Sequence, residues 1–284
     1  MDRRSMLSAM GATAAASLVA KGAKAEEVTS TLDAIMKRGH LLAGARYDYP
    51  PGSFADAQGV VQGYGPDVAR EFGKHLGVEV KFVQTTSQTR IPLLLNGQID
   101  AEFGPTTNSK IREEVVDFSL IWNTEQAVIL VRKGEPTDPK AYAGTEKTIG
   151  ATQGAVYIGY WRATNAGAKF KLFQQYPELL LAVAQGQVDC VLIDSLQAEL
   201  MIEKMSDAKL AVGEPFYRDS SAIMVRQNDS KWRNWVNWGL QRLWLEGKLQ
   251  EIYRKYYNEE PGFVLWQPGM MQPGVAEVHG PDKW

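Results

Sequence analysis

Hydrophobic positions follow two different periods along the chain, and their alternation predicts an α/β fold. Apolar and polar residues alternate at 78–83, and a short apolar run at 40–46 is also typical of a strand. Between them, Val68, Phe72 and Leu76 lie at helical spacing within 66–76. A helix capped by Thr31 is predicted at 32–39, and a long turn-rich loop at 47–67. This first series predicts a lobe with a mostly parallel sheet.

A second series of the same kind follows a long apolar strand that begins near Asn123. Its predicted strands are 147–151, 169–175 and 189–194, and its predicted helices are 155–164, 177–187 and 195–205. The segment 220–227 is predicted to return as a strand to the first lobe, followed by helices at 231–246 and 249–257. The first of these two carries Trp235, Trp238, Leu240, Leu243 and Trp244 at helical spacing, which favours core packing. Lobe 1 is therefore predicted at 26–123 and 217–257, lobe 2 at 124–216, and a C-terminal tail at 258–284.

The first 25 residues are typical of an export signal. Arg3 and Arg4 precede a modest apolar stretch that ends before an Ala-Lys-Ala cleavage site at Ala25. The twin arginines favour the Tat route, with the Sec route as the open alternative. We expect a mature chain from Glu26 that is exported to the periplasm.

Composition excludes several classes of protein. The 284 residues carry a net charge of -2 and give a pI of about 6.0, so no nucleic-acid partner is expected. Cys190 lies in an apolar run and is predicted to be a buried small hydrophobe. His40, His75 and His279 lie far apart, so no metal site or cofactor is predicted.

The segment 85–119 concentrates the candidate chemistry. Arg90 begins a short apolar helix, Ser87 lies three residues before it, and Arg112 follows a hydroxyl-rich loop at 106–109. Arginines beside helix N-termini and hydroxyls form anion sites, so two such corners indicate a ligand with two carboxylates. The alternative is that both arginines are surface charges and the hydroxyls only cap helices.

These motifs resemble those of family 3 extracytoplasmic solute-binding proteins of polar amino-acid ABC importers. The run at 90–100 (RIPLLLNGQID) is followed by TTNSKIR at 106–112 and DFS at 117–119, and TSQTR at 86–90 is similar to the glutamate/aspartate-binding branch. The resemblance implies a type II fold, with two open sheets joined by a two-strand hinge and a ligand cleft between the lobes. It also implies a monomer that delivers an acidic amino acid to an inner-membrane ABC permease and catalyses no reaction.

The same resemblance implies a role for each site residue. Arg112 and Thr107 would bind the α-carboxylate of the ligand, and Asp194 and the Pro105 carbonyl would bind its ammonium group. The side-chain carboxylate would be held by the remaining positions, which are Arg46, Ser87, Arg90 and Tyr176. For Asp194 the alternative is an N-cap of the following helix, and for Arg46 it is a solvent-exposed charge at a strand end.

Three departures from the family pattern bear on the ligand. Pro105 and Tyr176 replace a small residue and a histidine, and 154–156 lacks the usual hydroxyl. A dicarboxylate without an amine is a further possible ligand, although Asp194 would repel it. Two alternatives of other classes are a sensor and an enzyme similar to cyclohexadienyl dehydratase. For the enzyme, Tyr176 and Glu102 are the weak candidates for a general acid.

Overall fold

The computed structural model describes residues 29–144, 146–205 and 209–265. The predicted export signal at 1–25 lies outside the described residues, as does the tail beyond residue 265. No described helix has the length and apolar character that crossing a bilayer requires. Within the same ranges, no group of three or more His, Cys, Asp or Glu residues is arranged to hold a metal ion.

Strands and helices alternate in both parts of the described chain, as the apolar pattern predicts. The strands are β1 (His40–Ala45), β2 (Asp48–Tyr49), β3 (Ser53–Ala55), β4 (Val61–Gln62), β5 (Glu79–Gln84), β6 (Ala101–Glu102), β7 (Val116–Arg132), β8 (Thr148–Thr152), β9 (Lys169–Phe173), β10 (Cys190–Asp194) and β11 (Leu210–Arg226). The helices are α1 (Thr31–Arg38), α2 (Tyr64–Leu76), α3 (Arg90–Leu95), α4 (Lys110–Glu113), α5 (Val156–Thr164), α6 (Tyr176–Ala184), α7 (Ser195–Lys204), α8 (Ser230–Leu245) and α9 (Lys248–Tyr257). A short 3-10 helix at Pro139–Tyr142 precedes β8.

Two long strands join the halves of the molecule into one sheet. Strands β7 and β11 each run for 17 residues and pair antiparallel with each other. They occupy the centre of an eight-stranded sheet with the order β5-β1-β6-β11-β7-β10-β8-β9. The resemblance implied two open sheets joined by a two-strand hinge, and continuous pairing along β7 and β11 joins the two halves into one sheet. The predicted lobe boundaries near 123 and 216 fall inside these two strands, which we call the hinge strands.

Each half of the sheet has its own hydrophobic core. In the first half, Phe72 of α2 packs edge-on against Phe103 and Trp235. In the second half, Leu179 and Val191 belong to a separate cluster beneath α6 and α7. Separate hydrophobic clusters in the two halves of one sheet fit the type II binding-protein fold, in which two lobes share a pair of connecting strands. This confirms the predicted fold class.

Some local predictions are corrected by the structure. Ser30, rather than Thr31, caps α1, because its extended backbone lets its hydroxyl accept a hydrogen bond from Leu32 N at 3.2 Å. The predicted loop at 47–67 contains the small antiparallel sheet β2-β3-β4 and the first turn of α2. Trp235 of α8 is buried as predicted, but Trp238 is 40% exposed because it lies at the edge of the buried face. Cys190 is buried, which confirms its predicted role as a small hydrophobe.

Candidate ligand cleft

A narrow polar cleft lies between the two halves, over the middle of the hinge strands. It is bordered from the first half by the loops around α3 and α4, and from the second half by the N-terminal ends of α5, α6 and α7. Its described lining residues are Tyr49, Ser87, Arg90, Pro105, Thr107, Arg112, Glu125, Ala155, Val156, Tyr157, Tyr176, Asp194, Asp219 and Ser221. Seven of the eight residues predicted from the sequence are among them.

Arg112 is buried at one end of the cleft and joins its two walls. One terminal nitrogen donates to the Thr107 carbonyl at 2.6 Å, and the other donates to the Gly154 carbonyl of the opposite half at 3.0 Å. Burial lowers the pKa of Arg112, while nearby Asp219 opposes that shift. The first N–H groups of α5 border the same end of the cleft and have no partners within the helix. A guanidinium beside a helix N-terminus makes this end suitable for a carboxylate.

Arg90 is buried on the same wall as Arg112. Its Nη1 donates to the Pro105 carbonyl at 2.9 Å and to the Thr106 hydroxyl at 2.8 Å. Its buried Nε has no hydrogen-bond partner among the described residues. Burial and the neighbouring Arg112 charge lower the pKa of Arg90 to about 9, while Glu102 acts in the opposite direction. Both arginines are therefore buried, and the alternative that they are surface charges is wrong.

Arg46 is not among the residues that line the cleft. Its side chain is 1% exposed and forms a two-pronged ion pair with Asp48, with Nε–Oδ1 and Nη2–Oδ2 distances of 2.9 Å. Its Nη1 donates to the Ser87 hydroxyl at 2.8 Å, and its guanidinium stacks on the Tyr176 ring. The position of Arg46 at a strand end suggested that it could reach a ligand. In the structure, the Asp48 carboxylate of β2 already pairs with its guanidinium group. Arg46 thus supports Ser87 and Tyr176 from behind.

Thr107 and Tyr176 border the cleft with their polar groups already engaged. The Thr107 hydroxyl donates to Asp219 Oδ2 at 2.8 Å. Its proton is therefore not available to a ligand carboxylate, although the resemblance implied that role. Tyr176 begins α6, and its backbone N–H donates to Asp48 Oδ2 at 3.1 Å across the cleft. Its ring also meets Tyr49 edge-on. These contacts fix the shape of the cleft wall.

Asp194 ends β10 and directs its carboxylate into the cleft. It occupies the N-cap position of α7, yet its side chain makes no capping hydrogen bond. The hydroxyls of Tyr49 and Tyr157 donate to its two oxygens instead. Burial raises the pKa of Asp194 well above its usual value, and Glu125 and Asp219 raise it further. The capping alternative is therefore wrong, and the carboxylate is positioned for a cationic group.

Seven lining residues were not among the predicted site residues: Tyr49, Glu125, Ala155, Val156, Tyr157, Asp219 and Ser221. Glu125 lies in the long strand predicted to begin near Asn123, and Asp219 lies directly before the return strand predicted at 220–227. The sequence signal that could have identified them is an acidic residue in or beside each connecting strand, because both hinge strands pass beneath a cleft between the lobes. The tyrosines gave no signal, because their position depends on how the two halves approach each other.

Several contacts cross the cleft and hold the two halves together. Besides the contacts of Arg112 and Tyr176, the Gln174 amide donates to the Gln88 side chain at 3.3 Å. Gly154, with φ at 83°, approaches Ser87 so closely that an added Cβ would lie 2.7 Å from the Ser87 carbonyl oxygen. The structure is therefore a closed form in which both walls would contact a bound molecule.

Glu102, one of the weak candidates for a general acid, lies outside the cleft lining. It is fully buried, and it accepts hydrogen bonds from the Thr85 hydroxyl at 2.9 Å and from Gly104 N at 3.2 Å. Burial raises its pKa, and the nearby charge of Arg90 lowers it. Glu102 therefore contributes a negative charge near Arg90 and has no direct access to a bound molecule.

A family comparison agrees with this architecture. Residues 41–259 match the family model of bacterial extracellular solute-binding proteins, family 3. The match covers most of the chain and spans both halves and the hinge strands. The chain therefore belongs to this family of solute-binding proteins.

Individual relatives differ in what they are named for. The L-cystine-binding protein TcyJ of Escherichia coli K12 is 27% identical over 252 residues, with 88% of this chain and 95% of TcyJ covered. An L-glutamate/L-aspartate-binding protein of Pseudomonas aeruginosa is also 27% identical, over 259 residues, with 86% and 85% covered. Among solved structures, an ancestral amino acid-binding protein described as a precursor of cyclohexadienyl dehydratase is 30% identical. It has a TM-score of 0.73 and covers 81% of this chain and 100% of its own. The glutamate/aspartate branch is thus one of several that this chain resembles.

Proposed function

We propose that this chain is the periplasmic substrate-binding component of an amino-acid ABC importer. It would bind a free α-amino acid in the cleft and present the closed form to an inner-membrane permease. The observation that carries the proposal is the pairing of opposite charges across one enclosed cleft. Arg112 lies at one end and Asp194 faces it from the other half, which matches the carboxylate and ammonium of a zwitterion.

Closure supplies the coupling between ligand and transporter. Arg112 belongs to the first half and Asp194 to the second, so a ligand that pairs with both stabilises the closed form. The hinge strands would carry the change in angle between the lobes. This is a population shift toward the closed state, driven by contacts that the open form lacks.

The preference for L-glutamate or L-aspartate, predicted from the TSQTR motif, is the narrower form of this proposal. Arg90 supports it, because its buried Nε lacks a partner among the described residues and could bind a side-chain carboxylate. The ion pair between Arg46 and Asp48 argues against it, since one of the four residues predicted to bind the side-chain carboxylate is already paired with a carboxylate of the protein. The relatives named for cystine and for glutamate/aspartate are equally similar, so they do not favour either.

An enzymatic activity is the second candidate, favoured by the likeness to the dehydratase precursor. A general acid in the cleft would be required. Tyr176 lines the cleft, but burial raises its pKa. A phenol with a raised pKa is a poorer proton donor. Glu102 is buried behind Arg90. Neither predicted general acid can therefore serve, whereas Glu125 lines the cleft with a pKa raised to about 7 and could donate a proton. We favour binding without catalysis because the relatives reported above are named as binding proteins.

A thermal-shift panel tests the proposal. The protein is unfolded and refolded to remove carried-over ligand, then assayed with the twenty L-amino acids, L-cystine and glutarate. A ligand at 1,000 times its Kd should add ~4 kcal/mol to the free energy of unfolding. A shift with at least one α-amino acid is expected. A shift with glutarate alone would contradict the ammonium role of Asp194.

The variant Arg112→Lys tests the carboxylate end of the cleft. Lysine keeps the positive charge but loses the two-pronged geometry, so binding of the best ligand should weaken by ~2–5 kcal/mol. The matched control is Arg233→Lys, which alters a partly exposed pair with Asp117 outside the cleft. Equal affinities of the two variants would contradict the proposed role of Arg112.

A further inference from the structure

Two acidic residues of the hinge strands face each other at the floor of the cleft. Asp219 of β11 is the direct cross-strand partner of Glu125 in β7. Like charges directly opposite each other destabilise an antiparallel pair. Neither residue was assigned a role by the zwitterion-binding scheme above, since Asp194 alone pairs with the α-ammonium. Their presence at this position requires a compensating positive charge or bound protons.

The carboxylates form a chain of contacts that has too few protons. The Tyr49 hydroxyl lies 2.7 Å from Glu125 and also contacts Asp194. The Tyr157 hydroxyl contacts Asp194 and lies 3.1 Å from Asp219. A phenol has one O–H, so each tyrosine can donate to one carboxylate at a time. Two of the four oxygen–oxygen contacts therefore lack a proton unless a carboxyl of the cluster is protonated or another donor enters the cleft.

Asp219 offers a free acceptor within this chain. Its side chain is 6% exposed and lines the cleft. Oδ2 accepts from Thr107 at 2.8 Å, whereas the buried Oδ1 has no hydrogen-bond partner among the described residues. A buried carboxylate oxygen without a donor is costly, and its position in a binding cleft is that of a ligand acceptor.

The charges of the described cleft lining are also unequal. Arg90 and Arg112 are opposed by Glu125, Asp194 and Asp219, which leaves an excess of negative charge when all are ionised. A zwitterion adds no net charge and does not correct the imbalance. An acidic amino acid makes it larger, while a basic amino acid removes it.

We propose that Glu125 and Asp219 select an α-amino acid with a second cationic group, so that the ligand of this cleft is a basic amino acid. This inference rests on the proposed function, because it assumes that Arg112 and Asp194 bind the α-carboxylate and α-ammonium. The side-chain cation would lie between the two hinge carboxylates and donate to Asp219 Oδ1. Its positive charge would compensate the negative charge that bound protons offset in the ligand-free form.

Titration calorimetry on the refolded, ligand-free protein tests the inference with matched ligands. L-lysine and L-norleucine have the same side-chain carbons, and lysine carries a terminal ammonium that norleucine lacks. L-lysine, L-ornithine or L-arginine should bind about 100-fold more tightly than L-norleucine and than L-glutamate. Equal affinities of the best basic amino acid and norleucine would overturn the inference, as would tighter binding of L-glutamate.

Three variants assign the effect to the hinge carboxylates. Asp219→Asn and Glu125→Gln remove one charge each at nearly constant volume, and each should weaken binding of the basic ligand about tenfold or more. Glu214→Gln is the control, because Glu214 lies on the same strand but is exposed outside the cleft. Basic-ligand affinities of Asp219→Asn and Glu125→Gln that match the control would overturn the assignment. If a variant fails to fold, the comparison of lysine with norleucine on the unaltered protein still decides.

The same titrations distinguish failure of this inference from failure of the proposed function. Binding of neutral or acidic amino acids, or of L-cystine, without binding of a basic one would leave the binding function intact and overturn the basic-ligand inference. Absence of binding by every α-amino acid would overturn both.

Discussion

Three carboxyl groups give the cleft its chemical character at the scale of single residues. Burial is the largest cause of the raised pKa values of Glu125, Asp194 and Asp219. The charge of Asp219 raises the pKa of Glu125 further, and the charges of Glu125 and Asp219 raise that of Asp194. The opposing hydrogen bonds from Tyr49, Tyr157 and Thr107 lower these values only in part. In the ligand-free closed form the cluster therefore holds protons that an exposed carboxyl would have released.

This proton uptake predicts how stability depends on pH. The pKa of Glu125 is raised from 4.5 to about 7. Between these values the folded form binds a proton that the unfolded chain has lost. Its stabilising effect is complete below pH 4.5 and is lost as the pH rises to about 7. We expect the Tm of the ligand-free protein to fall across this window, as measured by calorimetry.

Glu125→Gln should flatten that fall, because glutamine cannot titrate. Glu125 faces the hydroxyls of Tyr49 and Tyr257, the amide of Asn123, and the carboxyls of Asp194 and Asp219. The two aspartates titrate in the same direction, so a smaller slope should remain in the variant. Glu214→Gln serves as the control and should keep the full slope. A Tm that rises from pH 5 to 7 would contradict the predicted proton uptake.

At the scale of elements, helix α8 shows how a sequence stripe becomes a buried face. Trp235 stacks on Trp232 with ring centroids 5.3 Å apart and meets Phe72 edge-on at 5.1 Å. Trp238, three residues later, is 40% exposed at the margin of the same face. Helical spacing placed both on one side of the helix, but the width of the contact with the sheet determines which one is covered.

These positions predict a large difference in stability between two tryptophan variants. Trp235→Ala removes a fully packed ring and should lower the free energy of unfolding by ~3–5 kcal/mol. Trp238→Ala removes a partly exposed ring and should cost less than about 1 kcal/mol. Chemical denaturation of both variants measures the difference. Equal losses would mean that Trp238 is packed as tightly as Trp235.

At the scale of the whole molecule, closure depends on a close approach of the two walls. Gly154 adopts φ 83°, and a Cβ there would lie 2.7 Å from the Ser87 carbonyl oxygen in the other half. An alanine at this position therefore meets two penalties, a backbone strain in every state and a clash that exists in the closed state alone.

Gly154→Ala should therefore weaken ligand binding by ~1–3 kcal/mol. This loss comes from the clash in the closed state, because the backbone strain is present in every state and does not change the affinity. Gly134→Ala is the matched control, because Gly134 has φ 95° with no atom within 4 Å of an added Cβ. Calorimetry measures the affinities, and X-ray scattering measures the radius of gyration with saturating ligand. The radius should shrink for the control and shrink less for Gly154→Ala. Identical behaviour of the two variants would contradict closure at this contact.

Most of the fold could be predicted from the sequence, because local periodicity encodes strands and helices directly. The alternation at 78–83 became β5, and the helical spacing of Val68, Phe72 and Leu76 became α2. The motifs around Arg90 and Arg112 predicted the fold class and the family, which the structure and the family match confirm. They also led to seven residues that line the cleft, since arginines and hydroxyls at element ends are visible in a linear chain.

Tertiary structure alone decided the pairing of the charges. Arg46 was available to a ligand in the sequence, but folding places the Asp48 carboxylate against its fork. Glu125 and Asp219, 94 positions apart by number, become cross-strand partners through the register of the hinge strands. The sequence by itself determined the class of protein and the polar residues at the ends of its elements. Which charges neutralise each other, and hence the charge that the cleft requires of its ligand, depends on distances between residues remote in the chain.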